Sequence, residues 1–182
     1  MKKIILSISL IFVLSLSFAK DLPEMVIGKK NIDPGITLIF EGAIKDDVSP
    51  VGVFLAENKA DIHIEVLANW NELSPRGAVK GGFVAYLEIT ATVTNQTTND
   101  SISIKLMPHL NMSDNYHYAQ NLKLPGKVKD LYRVEFDIQQ PYPGKIGMHF
   151  DWREEIGDSL IEPVQYTFSD LDFYEISQSS RR

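Results

Sequence analysis

The chain has no cysteine among its 182 residues. Disulfides, thiolate metal ligands and a lipid anchor on cysteine are excluded by that fact alone. It also lacks an apolar run long enough to cross a bilayer as a helix, which takes about 20 residues. The longest such run, Ile4 to Phe18, is 15 residues and follows Met1-Lys2-Lys3. It ends at Ser17-Phe18-Ala19, with small residues where a signal peptidase reads. Basic start, apolar middle and small-residue exit predict a secretory signal over 1–19, cleaved after Ala19. Positive charge is scarce too: 18 basic residues face 24 acidic ones. Loss of Lys2 and Lys3 with the signal leaves 16 against 24, a net charge of −8. A surface this acidic argues against nucleic acid, which is held through Lys and Arg at phosphates. It suits a protein that attracts cations. No G-x-S-x-G elbow and no phosphate-binding loop occurs, so the usual hydrolase and nucleotide chemistries find no support.

What the chain does contain is period-two alternation, the mark of half-buried strands. In Phe83 to Thr94, Phe83, Ala85, Leu87, Ile89, Ala91 and Val93 share one face. Asn95 to Asp100 reads as a turn, and Ile102, Ile104 and Leu106 alternate beyond it, which predicts a hairpin. Ile62 to Leu67, Tyr132 to Ile138 and Val164 to Phe168 alternate in the same way, with weaker candidates at Gly35 to Ile44 and Val51 to Ala56. Helical signals are confined to Glu57–Ala60 and Trp152–Ile156. The pattern predicts an all-β antiparallel sandwich of roughly seven to nine strands. It forms one domain over 20–176, with a flexible polar tail at 177–182.

The four histidines, His63, His109, His117 and His149, carry the chemistry. His63 and Glu65 are two apart on a strand, so they project from one face about 6–7 Å apart. Pro108, which has no N–H to donate, predicts that the hairpin strand stops before His109. The segment from His109 to His117 then reads as a loop carrying two imidazoles and Asp114, with Met107 and Met112 as nearby thioethers. His149 stands two residues after Gly147 and two before Asp151, which could orient it. Taken singly, each histidine is what a solvated strand face or loop carries without any ligand. Together they set every imidazole beside a carboxylate or thioether, a pattern that suits a metal site.

The same segments resemble the periplasmic iron-transport-associated proteins of bacteria. Ala60-Asp61-Ile62-His63-Ile64-Glu65 resembles that family's A-D-I-H-L-E strand, and Gly82-Phe83 with Tyr86-Leu87 its G-F-x-x-Y-L. Leu106-Met107-Pro108, His117-Tyr118-Ala119-Gln120-Asn121 and His149-Phe150-Asp151 with Glu162-Pro163 resemble its L-M-P-M, H-Y-G-A-N, H-V-D and E-P. The likeness runs from about Val26 to Tyr174. It implies an exported, immunoglobulin-like β-sandwich that works as a homodimer in the periplasm and binds Cu(II) and Fe(II), with Mn(II) or Zn(II) as further candidates.

Carried over residue by residue, the resemblance implies a metal site of His63, Glu65, His109, His117 and His149. His109 stands where the family has a methionine, so Met107 and Met112 remain as alternative thioethers. Asn69 stands where many relatives have a further histidine. The implied function is a non-enzymatic component of iron uptake that passes iron to an inner-membrane permease. Two other classes compete. One is a copper-dependent ferroxidase or other redox enzyme on a sandwich. The other is an exported structural or adhesive domain with incidental histidines.

Overall fold

The structure is a computed structural model that describes residues 24–180; the segment read as a signal, 1–19, lies outside them. Eight antiparallel strands dominate: β1 (Met25–Ile32), β2 (Ile36–Ala43), β3 (Ile62–Trp70), β4 (Glu88–Asn95), β5 (Ser101–Leu110), β6 (Tyr116–Leu122), β7 (Leu131–Gln139) and β8 (Val164–Asp172). A 3-10 turn at Glu57–Lys59 and helices α1 (Phe150–Ile156) and α2 (Tyr174–Gln178) complete the described elements. The all-β sandwich expectation is met, with a strand count inside the range.

Neighbouring strands run in the order β1-β2-β3-β6-β5-β4-β7-β8. Strand β5 turns the corner between two layers. Its first half, Ser101–Leu106, pairs with β4, and its second, Met107–Leu110, with β6. The layers face each other over an apolar core. Ile36, Leu38 and Phe40 of β2 and Ile62, Ile64 and Val66 of β3 are fully buried, as are Ile89, Ala91 and Val93 of β4 and Val134, Phe136 and Ile138 of β7. Phe40 meets Phe136 at 4.6 Å and Phe168 at 5.3 Å between centroids, which ties the layers together. Each such side chain removed from water contributes about 1.5–3 kcal/mol. The outermost strands also approach each other. A Cβ at Gly28 of β1 would collide with the Phe168 ring of β8, so glycine is what lets them close.

Several local expectations are corrected. Pro108 does not end β5; the strand continues to Leu110. Beyond Leu106 that strand has a partner on one side only, where a residue without an N–H is tolerated. The supposed His109–His117 loop is therefore two strand ends joined by a short connection. The alternation from Phe83 does not begin a strand until Glu88. Tyr86 takes a left-handed φ of 68°, and Val84 rather than Ala85 is buried. The Tyr118 hydroxyl holds this turn by donating to the Val84 carbonyl at 2.7 Å and accepting the Leu87 N–H at 2.9 Å. Val51–Ala56 forms only an isolated bridge between Val51 and Phe54. The tail begins in order: Ser177 lies buried in α2, and its carbonyl accepts from the Lys45 ammonium.

Candidate metal centre

The site lies on the side of β3, β6 and β5 that faces away from the core. Ile62, Ile64 and Val66 point inward, so period two turns His63 and Glu65 outward. On β6 the same rule places Tyr118 and Leu122 inward and His117 and Asn121 outward. His63 pairs with Asn121 across β3–β6, and His109 with His117 across β5–β6. The start of β3 is fixed by Asp61, which accepts from the Lys123 ammonium and from the Leu124 N–H.

An outward face of this kind is ordinarily wet. Here it is covered: His63, Glu65, His109 and His117 are all buried, His117 to 2 % exposure. The cover is the 44–56 segment. Asn121, itself fully buried, donates to the carbonyls of Asp46 and Leu55 at 2.7 Å each. That segment lays the Phe54 ring edge-on against His109, with centroids 4.9 Å apart. A pocket of about 310 Å³ remains, with Asp46 and Asp47 in its lining beside the three histidines and Glu65.

One ring nitrogen from each of His63, His109 and His117 lies within 4.8 Å of the others. Oε2 of Glu65 is 3.4 Å from His117 Nε2 and 4.0 Å from His63 Nε2. Burial lowers the pKa of His63 to about 4, against the raising effect of its Asn121 hydrogen bond, and burial likewise lowers His109 to about 4. Both imidazoles are therefore neutral at physiological pH, the form that ligates metals. Nε2 of His109 is buried with no hydrogen-bond partner among the described residues. A buried polar atom left in that state is costly unless something else fills the role. Three imidazoles and a carboxylate around one space fit a divalent cation of the Cu(II), Fe(II) or Zn(II) type.

The other sequence candidates lie elsewhere. His149 is exposed at the start of α1, where its carbonyl accepts the Arg153 N–H. It lines a separate cleft with Trp70, Phe83 and Trp152. The chain passes from Met148 into a helix rather than a strand, so within one chain His149 does not join the other three. Met112 is fully exposed at the β5–β6 connection, and Met107 is 40 % exposed opposite Ala119. Neither lines the histidine pocket. His109, and not Met112, lies with His63 and His117.

Two residues beside the histidines and Glu65 escaped the sequence reading. Asn121 had a signal, its place in H-Y-A-Q-N, but no assigned role. Glu41 of β2 pairs with Glu65 and is 8 % exposed. Burial, with Glu24 and Asp114 adding to it, raises its pKa to about 7. A glutamate in an apolar strand gave no sign of this, because its burial, and the approach of Glu24 and Asp114, come from the packing of other segments.

Comparison with known proteins agrees with the geometry. The family described as Fe2+ transport protein matches residues 21–174. A UPF0423 protein of Brucella abortus (strain 2308) is 24 % identical over 147 residues, 79 % of each chain. The solved copper-reconstituted P19 protein from Campylobacter jejuni superposes with a TM-score of 0.69 at 27 % identity, covering 81 % of this chain and 94 % of that one. A copper-bound variant of FetP from uropathogenic Escherichia coli strain F11 gives 0.63 at 26 % identity, covering 81 % and 95 %.

Proposed function

The chain belongs to the Fe2+ transport protein family, and from that premise we propose that it binds Fe(II) and Cu(II) in the periplasm and delivers iron toward an inner-membrane permease. The observation that carries the reading is the convergence of His63, His109 and His117 within 4.8 Å, all buried, with Glu65 within 4.0 Å of His63 and His117. The copper-bound relatives support a metal-binding role of the same kind. The export pattern at 1–19 supports the location. Asp46 and Asp47 at the pocket favour a cation over an anionic chelate, because like charges would repel the latter.

His149 is exposed and outside the cluster of its own chain. In this reading the protein is a homodimer, and His149 of a second copy supplies a further imidazole. The deciding experiment is titration of the metal-free protein with Cu(II), and with Fe(II) under anaerobic conditions. Wild type binds one ion per three-histidine cluster, and a His63→Ala/His117→Ala double variant loses that binding. Unchanged affinity in the double variant refutes the site. His149→Ala weakens binding without changing the dimeric mass; full affinity in that variant removes the second-copy ligand alone.

A further inference from the structure

We propose that Asn121 is a positioning residue that fixes the tautomer of His63 and so aims its Nε2 lone pair at the ion. The inference rests on the metal-binding reading above and adds the means by which the site is set before an ion arrives.

Both N–H groups of the Asn121 amide are used, one on the Asp46 carbonyl and one on the Leu55 carbonyl. Its Oδ1 accepts the Asp46 N–H at 3.1 Å and faces His63 Nδ1 at 2.9 Å. Flipping the amide would set Oδ1 against two carbonyls and the amino group against a backbone N–H. The orientation is therefore fixed. An acceptor at 2.9 Å requires that His63 carry its hydrogen on Nδ1. In the neutral ring that leaves a lone pair on Nε2, the atom 4.0 Å from Glu65 Oε2. A ring lone pair beside a buried carboxylate is an arrangement that a cation can satisfy.

The same amide ties the two ends of the 44–56 segment, at Asp46 and Leu55, to β6. One buried side chain thus sets a ligand's protonation pattern and holds the wall that bears Phe54 against His109. Outer hydrogen bonds of this kind typically govern metal affinity by about 10–100-fold.

The test uses metal-free protein first. Long-range proton–nitrogen NMR of the histidine rings reads the tautomer without any metal. Wild-type His63 shows the Nδ1–H form; an Nε2–H form overturns the proposal whatever the protein binds. Asn121→Ala loses the acceptor, shows a mixed or Nε2–H ring, and binds Cu(II) about 10–100-fold more weakly. Asn121→Asp keeps the acceptor but loses the two hydrogen bonds donated to the Asp46 and Leu55 carbonyls. It retains the Nδ1–H form and stays within about tenfold of wild-type affinity, which a loss of packing alone would not produce. Equal loss in both variants, or an unchanged tautomer in Asn121→Ala, overturns the assignment. Failure of wild type to bind Cu(II) at all, with the tautomer as stated, would sink the metal reading and leave this hydrogen-bond assignment standing.

Discussion

Oε2 of Glu65 lies 3.4 Å from Nε2 of His117, with both side chains no more than 4 % exposed. A carboxylate and an imidazole that close in a low-dielectric pocket must share a proton or a cation. Glu65→Gln keeps the shape and removes the charge. It should lower Cu(II) affinity at least tenfold, about 1.4 kcal/mol. Competition titration against a chelator of known affinity measures this, and an unchanged constant would exclude Glu65 from the ion's surroundings.

His109 offers imidazole where the resemblance read in the sequence implies a thioether. Sulfur is the softer donor and favours Cu(I). His109→Met should therefore raise the ratio of Cu(I) to Cu(II) affinity, by roughly tenfold or more. Parallel titrations under reducing and oxidising conditions give the ratio. A ratio that stays fixed or falls would mean that residue 109 does not contact the ion.

His63 and His109 have pKa values lowered by burial to about 4. Unfolded imidazoles titrate near 6.5, so between about 4 and 6.5 the unfolded chain holds more protons. The stability associated with these two rings is then full above about pH 6.5 and falls as pH drops toward 4. Metal affinity should resist acid further than a site of ordinary histidines, because proton competition sets in nearer pH 4 than 6.5. Thermal melts and Cu(II) titrations from pH 7.5 to 4.5 test both. An affinity that falls steeply already at pH 6.5 would contradict the buried neutral rings.

Glu41 works in the opposite sense. Its pKa is raised to about 7, so the folded chain holds a proton there that the unfolded chain releases near pH 4.5. Stability from this group is complete below about 4.5 and is lost as pH rises through 7. Glu41→Gln should stabilise the metal-free protein at pH 8 by about 1–3 kcal/mol, with little effect at pH 4. Urea denaturation at the two pH values checks it; equal shifts at both would refute the buried charge.

Tyr118 joins the core to the turn that carries Tyr86. Tyr118→Phe removes the hydrogen bonds to Val84 and Leu87 and leaves two buried backbone groups unsatisfied. A loss of about 1–3 kcal/mol is expected. Hydrogen exchange should quicken at Leu87 before it does at Ile89. Protection at Leu87 equal to wild type would show that the turn holds without the hydroxyl.

Much of the fold was legible because half-buried strands leave a period-two trace. β3, β4, β7 and β8 are visible in Ile62–Val66, Ile89–Val93, Tyr132–Ile138 and Val164–Phe168. Strand β6 was not, because its two faces are both buried from His117 to Leu122 and mixed polar with apolar residues, so no alternation survives. Strand β1 was missed for a different reason. It lies at one end of the strand order and carries Lys29, Lys30 and Asn31. Pro108 misled for a topological reason: β5 changes partner from β4 to β6 after Leu106, so one side of the strand is unpaired at Pro108 and the missing N–H does not end it.

The amino-acid sequence by itself determined the chemistry available: four imidazoles, no thiol, an acidic balance and strand spacing that puts His63 beside Glu65. The tertiary structure alone decided which of these meet. Cross-strand register sets His109 against His117, and β5 changes layers to bring them to β3. The 44–56 segment then seals a face that alternation would leave in water, while His149 is carried off by α1. Periodicity is a local property of the backbone and survives in one dimension, whereas convergence and burial depend on pairings between residues tens of positions apart, which no local pattern records.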